Sequence, residues 1–217
     1  MSVPALALKP CPFRQGSSVE NLTDKLLATN EPLECFGNAK TQNNDNSSRF
    51  AKCMQIAFDR EGKVIGAEIQ TSLLEKARVC AIMPRERGFH MFFMICHYRH
   101  CVNVVGDGKQ NTDNSDALDM FGEVAYKHML PVTEHVFTAP AADAAGQDGN
   151  WPAHDISEFK KVMHAFRVML GYPKEETDGM MALLVGILMM GELKYEEDDR
   201  VRGQGLHFGT PAAVATR

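Results

Sequence analysis

The sequence predicts an α/β chain, mostly helical with one antiparallel hairpin, and three observations carry that prediction. Met54, Ile56 and Phe58 recur at a period of two, as do Ala67, Ile69, Thr71 and Leu73, with Asp59–Lys63 and its Gly62 between the two runs. Two later stretches, about 157–170 and 174–190, repeat apolar side chains at helical spacing, with Gly171 and Pro173 between them. Hydrophobic residues make up 44% of the 217, enough to bury a core if the pieces belong together.

The elements follow in chain order. Residues 1–16 contain Pro4, Pro10 and Pro12 without sustained periodicity and read as a disordered leader. Val19, Leu22, Leu26 and Leu27 fall at helical spacing, so a short amphipathic helix is expected, stopping before Glu31 and Pro32. Residues 37–49, GNAKTQNNDNSSR, are small or polar and read as a loop. The hairpin is expected over about Phe50–Leu74. Phe89–Cys101 is apolar and aromatic enough for a buried helix or strand, with helix preferred. Residues 139–152, rich in Ala, Gly, Asp and Pro, read as a surface loop.

Ser157 is a good N-cap for the next helix, whose stripe is Phe159, Val162, Met163, Phe166, Met169 and Leu170. Glu175, Glu176 and Asp178 suit the positive end of the helix after Pro173, which makes the pair a helical hairpin. Its methionines, among them Met163, Met169, Met180, Met181, Met189 and Met190, fit core packing better than an adaptable groove. Residues 196–217 show no core pattern and read as a disordered tail.

Composition narrows the function. A formal charge of −5, from 28 acidic and 23 basic residues, gives no basic field for a polyphosphate backbone, so nucleic acid is a poor partner. Met180–Met190 is about half the roughly 20 residues needed to cross a bilayer and reads as a buried helix rather than a membrane span. Six scattered cysteines and an N-terminus unlike a signal peptide point to a reducing, intracellular compartment. Cys96, His97, His100 and Cys101 are zinc-competent side chains, but on a helix their i, i+4 pairs face different directions, and four ligands on one short helix close a tetrahedron poorly.

The 37–49 loop is the most informative segment. Asn44, Asn46, Ser47, Ser48 and Arg49 put amides, hydroxyls and a guanidinium within six residues. Hydroxyls ligate Mg²⁺, and amides hold phosphate oxygens. On composition alone an ordinary Asn- and Ser-rich surface turn is the better reading.

The ordered string decides between them. NLTDKLLATNEPLECFGNAKTQNNDNSSRFAK, then LLEKARV at Leu73–Val79 and RERGFHMFF at Arg85–Phe93, resemble successive segments of the myosin motor domain leading into and past switch I. Ile156–Tyr195 resembles a helical hairpin of the motor's upper domain. The resemblance covers about residues 19–195, more loosely over 97–154, and implies a partial P-loop NTPase-type motor fold over 17–195 whose hairpin belongs to the transducer sheet.

The family pattern N-x-N-S-S-R falls on Asn44, Asn46, Ser47, Ser48 and Arg49. The resemblance implies that Asn44 and Asn46 approach the phosphates of ATP. It implies that Ser48 ligates Mg²⁺ and that Ser47 lies near the γ-phosphate and the attacking water. Arg49 would pair with a switch II glutamate. Asn43 stands where a basic residue is usual and Ala51 where glycine is usual. The chain contains no G-x-x-x-x-G-K-S/T string and no switch II counterpart. The nearest string, NVVGDGKQ at Asn103–Gln110, reads as a loop.

The leading reading is therefore a fragment of an actin-based, ATP-hydrolysing motor of the cytoplasm and cytoskeleton. On its own it would bind MgATP weakly or not at all, with the 44–49 loop exposed and poorly held and Arg49 lacking a carboxylate partner in the switch II role. A non-catalytic interaction module and a small metal-binding protein are the alternatives.

Overall fold

A computed structural model describes residues 19–101, 129–141 and 151–194. The expectations for residues 1–16, 103–110 and 196–217 lie outside these. Helix α1 spans Val19–Ala28, as the periodicity predicts. The chain then restarts as α2, Asn30–Gly37, where a stop was expected. Pro32 lies in the first turn of α2, where a missing N–H breaks no helical hydrogen bond, so here the proline opens a helix.

Two short strands, β1 (Asn38–Ala39) and β2 (Ser47–Ser48), pair antiparallel and close the polar segment into a loop. Strands β3 (Ala51–Phe58) and β4 (Val64–Ser72) form the expected hairpin. Met54 opposes Ile69 and Ile56 opposes Ala67, which sets those apolar side chains on one face. Asp59 Oδ1 accepts the N–H groups of Glu61 (3.0 Å) and Lys63 (2.8 Å), and Gly62 takes φ +83°, which closes the turn. Most hairpin side chains are exposed, and β4 leans on α1 for support. Leu73 falls outside the strand face expected for it, because β4 ends at Ser72 and Leu73 turns out with φ +58°.

A short 3₁₀ turn, Lys76–Val79, leads toward α3, His90–Cys101. Met91–Cys96 are all buried, so α3 is a core helix, covered on every side. Around it pack α2, α4 (Trp151–His164) and α5 (Lys174–Met190). Cys35, Phe159, Val162, Met163, Phe166, Met181, Leu184, Val185 and Leu188 complete the core from those elements and from the turn after α4.

Helix α4 begins six residues before the expected Ser157, which lies exposed within it. Pro152 occupies its first turn, again the place where proline fits, and Asp155 is drawn into the core by a partner on another segment. The helix ends in a π turn, Ala165–Met169, closed by Leu170 N–H to Ala165 O (2.9 Å) and Tyr172 N–H to Phe166 O (2.9 Å). Gly171, at φ +74°, makes that reversal without a Cβ penalty. Of the methionines singled out, Met163 and Met181 are buried, while Met190 is 65% exposed.

Candidate functional site

The polar loop is organised from inside and presents its polar groups outward. Arg49 N–H donates to Gly37 O (2.9 Å), and Thr41 N–H to Asn44 O (2.8 Å). Asn46 N–H donates to Asn44 Oδ1 (2.8 Å), a local turn of the kind asparagine favours. Gly37 underlies the base of the loop, where a Cβ would meet the Phe50 ring at 2.3 Å. Asn44, Asn46 and Ser48 are exposed, as expected. The loop is nevertheless well held, contrary to the sequence reading, because its side chains bond to one another and to neighbouring elements.

Asn46 carries most of that restraint. Its Nδ2 donates to Glu34 Oε2 of α2 (3.1 Å), and its Oδ1 meets Asn38 Nδ2 of β1 (3.1 Å) and His90 Nε2 of α3 (3.1 Å). Ser48 Oγ donates to Phe50 O (3.1 Å), leaving its oxygen lone pairs outward. Ser47 Oγ accepts from Arg49 Nη1 (3.4 Å).

Arg49 has a carboxylate partner within the chain, where the sequence reading expected none in the switch II role. Its Nε donates to Glu75 Oε2 (2.6 Å), a residue just past β4 that the hairpin returns beside β2. Glu75 N–H also donates to Arg49 O (3.0 Å). The same Oε2 accepts from Arg78 Nε (2.7 Å), and Arg78 reaches Glu86 Oε2 (2.9 Å) and Arg87 O (3.2 Å). Hydrogen bonds from Arg49 and Arg78 hold the Glu75 carboxyl down at about 2. Lys40 is likewise paired, with Asp45.

Below the loop lies a buried charge network that sequence reasoning missed. Arg87 N–H donates to Lys40 O (3.0 Å), and its guanidinium meets Asp155 through Nη2 (2.5 Å) and Nη1 (3.4 Å). The guanidinium lies 4.0 Å from the Phe93 ring centroid and 4.1 Å from that of Trp151. His97 Nδ1 meets Asp155 Oδ2 at 2.7 Å. Burial pushes the Asp155 carboxyl up, but hydrogen bonds and charge from His97 and Arg87 outweigh it and hold it below the usual range. The available signal was an arginine beside the apolar run that begins at Phe89: one so placed needs a carboxylate.

Two of the four zinc-competent side chains are described, and both are otherwise engaged. Cys96 is buried, with burial pushing its thiol to about 12, and His97 spends Nδ1 on Asp155. Among the described residues no group of three or more His, Cys, Asp or Glu side chains is placed to hold a metal, and none of the helices is long and apolar enough to cross a membrane. The side chains of His100 and Cys101 lie outside the described ones.

As a donor set, the loop offers the Asn44 amide and the Ser47 and Ser48 hydroxyls, the two serines on opposite faces of β2. These suit a hard cation and phosphate oxygens. Lys40 and Arg49 are both covered by carboxylates, so the loop brings no uncompensated positive charge. The set fits one wall of a magnesium nucleotide site.

Residues 11–208 match the family model described as myosin head (motor domain). Myosin-1 of Pyricularia oryzae is 35% identical over 191 residues, covering 85% of this chain and 13% of that relative. Unconventional myosin-Id of Canis lupus familiaris is 35% identical over 184 residues, covering 85% of this chain and 16% of that relative. Myosin-1 of Neurospora crassa is 34% identical over 186 residues, covering 85% and 13%. The chain spans between 13% and 16% of the length of these relatives. With the N-S-S-R loop built as described and the match running through nearly all the chain, it belongs to the myosin head (motor domain) family.

Proposed function

We propose that this chain supplies the switch I wall and the upper-domain helices of an actin-based, MgATP-hydrolysing myosin motor. The observation that carries the reading is a loop that exposes Asn44 and Ser48 and sets the Ser47 hydroxyl beside Arg49, restrained from within through Asn46. Ser48 would ligate Mg²⁺ and the Asn44 amide would approach phosphate oxygens. Ser47, aimed by Arg49, would lie beside the γ-phosphate. Bound Mg²⁺ supplies charge neutralisation at the phosphates, and the residues here contribute orientation. The association with actin filaments, in the cytoplasm and cytoskeleton, and the partial P-loop NTPase-type fold come with the same reading.

The chain alone is proposed not to turn over ATP, because both loop cations are already neutralised and three neutral groups remain. Each hydrogen bond contributes about 0.5 to 1.5 kcal/mol net, whereas micromolar affinity needs about 8 kcal/mol. A MgATP titration followed by amide chemical shifts is expected to give unsaturated, millimolar shifts centred on Asn44, Ser47 and Ser48. Ser48→Ala should remove their Mg²⁺-dependent part. Shifts centred elsewhere would overturn the assignment of the wall, and saturable micromolar binding would overturn its incompleteness.

A further inference from the structure

The orientation of the Asn46 amide is fixed by what surrounds it. Glu34 accepts only, so Nδ2 must face it, and Oδ1 is left to Asn38 Nδ2 and His90 Nε2. His90 must therefore donate from Nε2. The imidazole is 7% exposed, stacked on Trp151 at 6.4 Å, with Arg87 nearby from the network below. Asn46 Oδ1 and one Nδ2 proton are thus held within the fold, and its backbone N–H goes to Asn44 Oδ1. With that oxygen engaged, the Nδ2 of the exposed Asn44 is its donor toward a ligand.

We propose that Asn46 and His90 form a positioning bracket, in which the imidazole holds the amide that aims Asn44, Ser47 and Ser48, and that Asn46 itself does not touch phosphate. This rests on the reading of the loop as the wall facing MgATP. Four elements meet at one side chain: α2 through Glu34, β1 through Asn38, α3 through His90, and the loop itself. His90 stays neutral down to about 4, through burial and then the charge of Arg87, so the bracket holds across the neutral range.

The test is amide hydrogen exchange on the whole chain without nucleotide, comparing His90→Phe with His90→Gln, whose Nε2 keeps a donor at a similar reach. In His90→Phe the Asn46 and Arg49 amides are expected to exchange about 5- to 30-fold faster, while buried α5 amides such as Val185 stay unchanged. His90→Gln should restore most of the protection. Unchanged loop exchange in His90→Phe, or equal acceleration of loop and α5, would overturn the bracket. Asn46→Asp, which faces Glu34 with a like charge, gives the second variant, with the same expected pattern. Adding MgATP to the unmodified chain then separates the two readings. The Asn44 side-chain amide signal should shift and that of Asn46 should stay. If neither moves, the wall assignment fails while the exchange result stands alone. If that of Asn46 moves with it, the positioning role is wrong.

Discussion

Replacing Asp155 with asparagine removes one charge from the buried network while keeping the shape of the side chain. Arg87 is 2% exposed and held between Phe93 and Trp151, so its guanidinium has no route to bulk water when the carboxylate is gone. Removing one partner of a buried ion pair costs about 3 to 5 kcal/mol, because the other charge is left uncompensated. Some of that is returned here, since the carbonyl of the substituted amide can still accept one hydrogen bond, so about 3 kcal/mol is expected. With a urea slope of about 1 to 3 kcal/mol per molar, the midpoint should fall by about 1 to 3 M. Trp151 is the only tryptophan of the chain and lies 4.1 Å from Arg87, so its fluorescence reports the site while far-ultraviolet circular dichroism reports the whole. Combining Asp155→Asn with Arg87→Met, which removes both charges of the pair, should recover much of the loss. A loss below about 1 kcal/mol for Asp155→Asn, with the double variant no more stable, would refute the account of a dry, dependent pair.

Two further outcomes follow from the charged groups. His90 is neutral in the folded chain down to about 4, whereas an unfolded histidine takes its proton near 6.5. Between those values the unfolded chain binds more protons, so stability falls as pH falls from 6.5 to 4, by at most about 1.4 kcal/mol per unit. Urea midpoints across this window should slope less in His90→Gln, and equal slopes would mean that other groups set the acid response. Glu75→Gln should cost less than about 1 kcal/mol in the same assay, because that side chain is 38% exposed, and a loss like that of Asp155→Asn would contradict it.

The hairpin was legible because alternation and turn chemistry agree: Met54 and Ile56 face Ile69 and Ala67 across a turn that Asp59 and Gly62 close. The α5 helix was legible for the same reason, with acidic residues at its start and apolar ones within. Proline misled twice. Pro32 was read as a stop and Pro152 as loop, although each lies in the first turn of a helix, a place proline suits. Ser157 had the chemistry of a cap but not the place. Within the candidate site, the exposure of Asn44, Asn46 and Ser48 was legible from the polar, turn-forming composition of the segment. Their supports did not follow, because Glu34, Glu75 and His90 are brought in by tertiary structure. A polar residue bordering a buried run signals that a partner exists, yet it does not say which carboxylate answers it.

The two principal arginines show how one loop can be both anchored and free to change partner. Arg87 and Asp155 are exposed by 2% and 0%, so separating them strands a charge in the core. Arg49 and Glu75 are exposed by 30% and 38%, where an ion pair is worth about 0 to 1 kcal/mol. Glu75 would not be stranded if Arg49 left, because Arg78 holds the same oxygen at 2.7 Å, with Glu86 as its second partner. Arg49 is therefore the member of the chain Arg49–Glu75–Arg78–Glu86 whose departure costs least. Since Arg49 Nη1 also reaches Ser47 Oγ, any change of partner at Arg49 would be felt at that hydroxyl, while Asn46 and Arg87 hold the base of the loop.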